Sequence, residues 1–196
     1  MKKQTTQKLV IVALMSGVAF LLMMVHLPYK FLGFLEFEIS DVPAVVTGFA
    51  FGPLYGVLVE LIKNAFKLMT TTTAGVGEVA NFIICSAYVV PASFIFRKMK
   101  GSEIKRNIVS LSIGTICFAF AGIVVNYFVT VPLYIRVFFG GNEAALFGMA
   151  GATIPAIKNA ATLVVLGITP FNIVKGILIA VLSALVYKAV KKVLRQ

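Results

Sequence analysis

The feature that most constrains this chain is a succession of apolar stretches, most of them long enough to cross a lipid bilayer. A spanning helix needs about 20 predominantly apolar residues. The stretches are Leu9–Leu27, Val42–Phe51, Leu54–Met69, Val79–Phe96, Ile108–Tyr134 and Phe171–Val190. Charged residues make up only 13% of the chain, against 60% hydrophobic; soluble domains carry about 25% charged residues. The expected fold is therefore an all-α membrane protein with six transmembrane helices in a lipid bilayer. Its 196 residues are expected to form a single integral membrane domain over residues 1–196. Val42–Met69 is read as two helices because Phe51-Gly52-Pro53 interrupts it. Proline removes a backbone donor and pushes the preceding residue out of helical geometry.

The formal net charge of +11 would suggest nucleic acid in a soluble protein. Here the basic residues cluster instead at Lys2, Lys3 and Lys8, at Arg97–Arg106, and at Lys188, Lys191, Lys192 and Arg195. Such clusters mark cytoplasmic loops and ends. Nucleic-acid binding is set aside, and six spans place both termini in the cytoplasm. The segment Ala144–Ile168, with Gly148, Gly151, Pro155, Lys158 and Asn159, is expected as part of a long outer loop between helices five and six, with a helical piece packed on the bundle. Leu9–Leu27 is too long for a signal-peptide core and lacks a small-residue cleavage site, so it is read as a true first helix. Cys85 and Cys117 lie in apolar runs, and the sole histidine is His26. No metal-ligand spacing surrounds them, so the expectation is no metal.

Ionisable residues inside a membrane segment cost about 2.5–3.5 kcal/mol on insertion scales and point to function by default. Glu60, Lys63, Asn64 and Lys67 share one face of the third helix. Glu60 and Lys63 can neutralise each other there. Ser40 and Asp41 precede the second helix, where Asp41 suits an N-cap. Glu78 and Asn81 open the fourth helix, Asn126 lies near the outer end of the fifth, and Asn172 and Lys175 open the sixth. With the orientation above, these groups from three helices share one depth. Lys175 at a helix start is disfavoured by the dipole, which calls for a partner: Glu78, a carbonyl or a ligand oxygen. Phe37, Phe82, Tyr127, Tyr134 and Phe171 surround them. Aromatic walls with a few convergent polar groups characterise small-molecule sites.

With these segments placed, the chain resembles the substrate-binding S-components of energy-coupling factor (ECF) transporters, and among them the riboflavin-specific RibU family. The resemblance rests on Phe37-Glu38-Ile39-Ser40-Asp41-Val42-Pro43, Phe51-Gly52-Pro53, Lys63-Asn64, Glu78-Val79-Ala80-Asn81-Phe82, Asn126-Tyr127-Phe128 with Pro132-Leu133-Tyr134, and Pro170-Phe171-Asn172-Ile173-Val174-Lys175-Gly176. It implies six helices and an outward pocket in the cell membrane. Asn126, Asn172 and Lys175 would hold riboflavin, with Asn81 and Glu78 as weaker contacts and Leu35–Phe37 covering the ring. It also implies that Ala13 and Gly17, at small-x-x-x-small spacing, dock on a transmembrane coupling subunit. Two cytoplasmic ATPase subunits would complete the transporter, with riboflavin as transported ligand and no cofactor.

The residues themselves indicate binding rather than catalysis. There is no G-x-x-x-x-G-K-[ST] loop and no Ser/His/Asp constellation in the sequence. Two alternatives stay open: an S-component for flavin mononucleotide or another vitamin, with Lys67 and Arg136 as a basic pair, and a self-sufficient proton-coupled permease working through Glu60.

Overall fold

The computed structural model describes residues 2–25 and 30–194. His26, the Leu27 end of the first expected span, the Pro28 start of the first loop and Arg195 lie outside the described residues. Seven helices run through them: α1 Lys2–Met24, α2 Val42–Phe51, α3 Pro53–Leu68, α4 Val76–Lys98, α5 Glu103–Phe139, α6 Glu143–Gly151 and α7 Ala160–Leu194. Four of these, α1, α4, α5 and α7, are long and apolar enough to cross a bilayer; α2 is shorter and apolar.

The break between α2 and α3 falls where the sequence places it. Gly52 has φ 117°, a conformation that L side chains rarely adopt, and Pro53 opens α3 at a position where its missing N–H is not needed. The two helices fold back with little room between them. A Cβ on Gly56 would approach the Ala44 carbonyl to 2.7 Å. Val42 through Phe49 are all buried, so protein rather than lipid surrounds α2, as its apolar character on every side requires. Arg97 Nη1 donates to the Ala50 carbonyl at 2.7 Å, and Arg106 Nε donates to the Phe96 carbonyl at 2.8 Å. Cations are favourable at these carbonyl ends. Lys191 pairs with Glu103 and ties the end of α7 to the start of α5.

Helices α5 and α7 depart from expectation. α7 begins at Ala160, eleven residues before the expected Phe171, so 160–168 is helix rather than loop. The connection from α5 keeps one helical piece, α6, whose Leu146, Phe147 and Ala150 are buried. Pro170 does not start the helix because the turn before it, Leu163–Ile168, is wound wider, as a π-helix. Such a turn relieves the clash of the proline ring with the preceding carbonyls. Thr169 Oγ1 donates back to the Val164 carbonyl at 2.8 Å. The same device recurs in α5: Asn126–Thr130 is π-helical ahead of Pro132, and Thr130 Oγ1 donates to the Val125 carbonyl at 3.4 Å.

Two apolar clusters result. One joins α1–α5 and α7 around Phe49, Tyr88, Phe96, Phe118 and Tyr187. The other joins the 31–35 turn, the last turns of α5, α6 and the first turns of α7. Along α7, Leu163, Val164 and Ile168 belong to the second cluster and Ile179 to the first. Between them lie Asn172 and Lys175, both buried. Along α5, Asn126 stands between Val125 of the first cluster and Val131 of the second. A polar layer therefore separates the two clusters.

Candidate functional site

The layer is built on a seam between α5 and α7. Thr115, Phe118, Gly122 and Asn126 succeed one another at helical spacing along one face of α5. Gly176 of α7 lies against Thr115 and Phe118. The Lys175 ammonium stands 6.0 Å from the Phe118 ring centre. The Asn172 amide lies on Gly122, where a Cβ would overlap its Nδ2. Asn126 Nδ2 donates to the Gly122 carbonyl at 2.7 Å. Asn126, Asn172 and Lys175 are thus brought to one seam. Asn172 is 6% exposed, and its Nδ2 has no hydrogen-bond partner.

The first loop closes over this seam. Phe31 and Leu35 pair through their backbones, with Leu35 N donating to the Phe31 carbonyl at 2.9 Å. Leu32 is fully buried beneath the turn and fills the space above Gly167. Phe37 meets Phe171 with ring centres 4.4 Å apart, and Phe31 lies parallel to the same ring at 6.0 Å. The next residue, Glu38, reaches Lys175: Nζ donates to Oε1 at 2.5 Å.

That contact corrects the expected partner of Lys175. Glu78 does not supply it; its carboxylate accepts from Thr73 Oγ1 at 2.5 Å, in the turn that opens α4. Lys175 pairs instead with Glu38 and, at 3.4 Å, with Asp41. Nor does Lys175 sit at a helix start. It lies in the fifth turn of α7, so the dipole argument does not apply to it. Asn81 is half-buried and its Oδ1 accepts from Cys85 Sγ at 3.5 Å. Tyr127 is 40% exposed and packs on the outward Phe128, away from the seam.

Asp41 is also not the side-chain N-cap expected of it. Its backbone carbonyl accepts from Val45 N at 3.1 Å, while its carboxylate bridges two ammoniums. Lys63 Nζ lies 2.5 Å from Asp41 Oδ1 and 2.7 Å from Glu60 Oε2. The expected Glu60–Lys63 pair is present, extended by Asp41 into a chain that runs Glu60, Lys63, Asp41, Lys175, Glu38. All five residues are buried. Asp41, Glu60 and Cys85 bring three ligand atoms within 4.8 Å of one another; the Lys63 ammonium already meets both carboxylates there. Sequence reasoning missed Glu38 and Asp41 as site residues. The available signal was charge matching, because Lys63 and Lys175 each need a buried counterion and the chain has only seven acidic residues. Lys67 turns elsewhere: its Nζ meets Met24 Sδ of α1 at 3.6 Å, while Arg136 is exposed on α5.

The chain as a whole has counterparts among known proteins. The family described as ECF transporter, substrate-specific component, matches residues 7–187. The chain belongs to this family. A riboflavin transporter of Bacillus subtilis (strain 168), FmnP, is 35% identical over 97% of this chain and 95% of its own length. The riboflavin transporter RibU of Staphylococcus aureus (strain TCH60) is 31% identical over 98% of this chain and 95% of its own. A solved structure of the S component of a bacterial ECF transporter superposes with a TM-score of 0.70. It shares 29% identity and covers 98% of this chain and 99% of its own. This ECF substrate-specific component is accordingly a multi-pass membrane protein and a transporter component. On α1 its Ala13 is exposed and Gly17 has nothing within 4 Å of where a Cβ would stand. Val12, Ser16 and Ala19 of the same helix are buried against the bundle.

Proposed function

We propose that the chain is the riboflavin-binding subunit of an ATP-driven ECF uptake transporter in the cell membrane. In this reading it has six spans and cytoplasmic termini, captures riboflavin outside and releases it inside. The names of the relatives support the substrate, and the buried Asn172 amide with an unpartnered Nδ2 carries the reading most directly. A buried donor without a partner costs about 1–3 kcal/mol, and a ligand oxygen offsets that loss. The flavin ring edge and the ribityl hydroxyls offer such oxygens. Asn126, Asn172 and Lys175 hold them, while Phe37 and Leu35 cover the ring; Asn81 and Glu78 act at the margin.

The protein binds and does not catalyse. Its face at Ala13 and Gly17 docks on the transmembrane coupling subunit, since small residues permit close helix approach. Energy comes from two cytoplasmic ATPase subunits that this chain does not contain. The reading is tested by purifying the protein without added ligand, recording its absorbance, and titrating it with riboflavin. Flavin bands or saturable quenching of flavin fluorescence support it. A colourless protein that leaves riboflavin fluorescence unchanged overturns it.

A further inference from the structure

Away from the polar layer, the outer face where α4 packs on α5 carries an open furrow of about 730 Å³. Small, half-buried side chains line it, Ala87 and Pro91 of α4 with Cys117 of α5, and the exposed Val90, Ile116 and Phe120 stand along it. One end of this face is basic. Pro91, Phe94 and Lys98 follow one another at helical spacing on α4, and the Lys98 ammonium lies 4.4 Å from the Phe94 ring centre. Across the turn, Lys105 is exposed near the start of α5. The neighbouring cations are engaged: Arg97 and Arg106 on helix-end carbonyls, and Glu103 by Lys191. Among the described residues no carboxylate pairs with Lys98, Lys100 or Lys105.

We infer that this face is a binding site for an anionic phospholipid, with an acyl chain in the furrow and the headgroup phosphate at Lys98 and Lys105. The inference does not rest on the riboflavin reading. An open furrow forfeits dispersion contacts unless something fills it, and a multi-pass membrane protein meets acyl chains on its apolar outer surface. Depth fits the same occupant. The furrow residues of α4, Ser86 to Pro91, precede Lys98 by roughly 10–18 Å at about 1.5 Å per residue. One leaflet of the hydrocarbon core is about 15 Å thick. A lipid whose phosphate meets Lys98 therefore lays the far half of its chain in the furrow. Charge selects among lipids, because unpaired basic residues at a membrane surface attract anionic headgroups. A protein helix seated here would leave three ammoniums unanswered unless it carried acids of its own.

The chain has no tryptophan, so wild type is a blank for indole fluorescence. Phe120→Trp places a reporter on the furrow in the full chain, reconstituted in mixed phosphatidylglycerol and phosphatidylcholine vesicles. Brominating one lipid at a time gives the binding ratio of the two from indole quenching. Val181→Trp is the control: Val181 is exposed on α7 outside the furrow, with Lys188 two turns further on. The preference for phosphatidylglycerol is expected to be at least threefold greater at Phe120→Trp than at Val181→Trp. Replacing Lys98 and Lys105 together with Gln, or filling the furrow by Ala87→Leu, is expected to remove that excess. Should Phe120→Trp fail to fold, Val90→Trp reports on the same furrow. Equal preference at the two positions, or an excess that either change leaves as it was, overturns the inference. So does a reporter that no brominated lipid quenches because a second copy covers the face, or one that loses its quenching when partner subunits assemble.

Discussion

Lys175 Nζ donates to Glu38 Oε1 at 2.5 Å, joining the first loop to the last helix across 137 residues of chain. The contact gives one ammonium two tasks. It ties the loop to α7, and in the proposed reading it offers a remaining donor to riboflavin. The consequences of that arrangement can be measured.

Replacing Lys175 with Ala removes the proposed ligand donor and releases the loop from its ion pair. Riboflavin binding is expected to weaken at least tenfold in protein that still inserts and elutes as a single species. Fluorescence quenching titration measures it, and an unchanged affinity would remove Lys175 from the site.

Gly122→Ala tests the seam without touching a polar group. The new Cβ overlaps Asn172 Nδ2, so the amide must turn away. Alanine is favoured over glycine in a helix by about 1 kcal/mol, so the fold has no propensity loss to absorb. Riboflavin affinity is expected to fall about tenfold with little change in the thermal midpoint; equal affinity would show that the Asn172 position does not matter.

Lys63→Met leaves Asp41 and Glu60 facing one another without their ammonium. Removing one partner of a buried ion pair costs about 3–5 kcal/mol, whereas removing both is often close to neutral. The single variant should unfold at lower temperature than wild type in the same detergent. Adding Glu60→Gln should recover part of the loss. If the single variant melts with wild type, the chain of charges does not hold the layer together.

Gly17→Trp addresses the outer face of α1. Nothing lies within 4 Å of the position its Cβ would take, so the bundle tolerates the bulk. Binding of riboflavin should persist while uptake by the assembled transporter is lost. Transport equal to wild type in proteoliposomes with all subunits would dismiss this docking face.

The sequence carried the helical class, the Gly52-Pro53 break and the Glu60–Lys63 pair plainly. Each follows from a local rule: apolar length, proline chemistry and helical spacing. It also brought Asn126, Asn172 and Lys175 to one level. The route differs in part, because the apolar pattern predicts a helix opening at Phe171 whereas the helix runs from Ala160 through Pro170. A proline preceded by a wide turn is not a boundary, and that turn has no composition of its own; Leu163–Ile168 reads as any apolar stretch. The partner of Lys175 was missed for a related reason. Glu38 lies 137 residues away in a loop, and no periodicity links a loop carboxylate to a helix ammonium. Asp41 was assigned to capping because its position before α2 satisfies that rule, yet two buried lysines compete for the same carboxylate.

The order in which the chain is synthesised gives the charged layer a further meaning. Glu60 and Lys63 emerge together and can enter the bilayer as a neutral couple, but Glu38 and Asp41 are made more than a hundred residues before Lys175. A nascent chain halted ahead of α7 thus holds three carboxyl groups against a single ammonium. Insertion of α7 supplies the missing countercharge, so entry of that helix and closure of the loop are coupled.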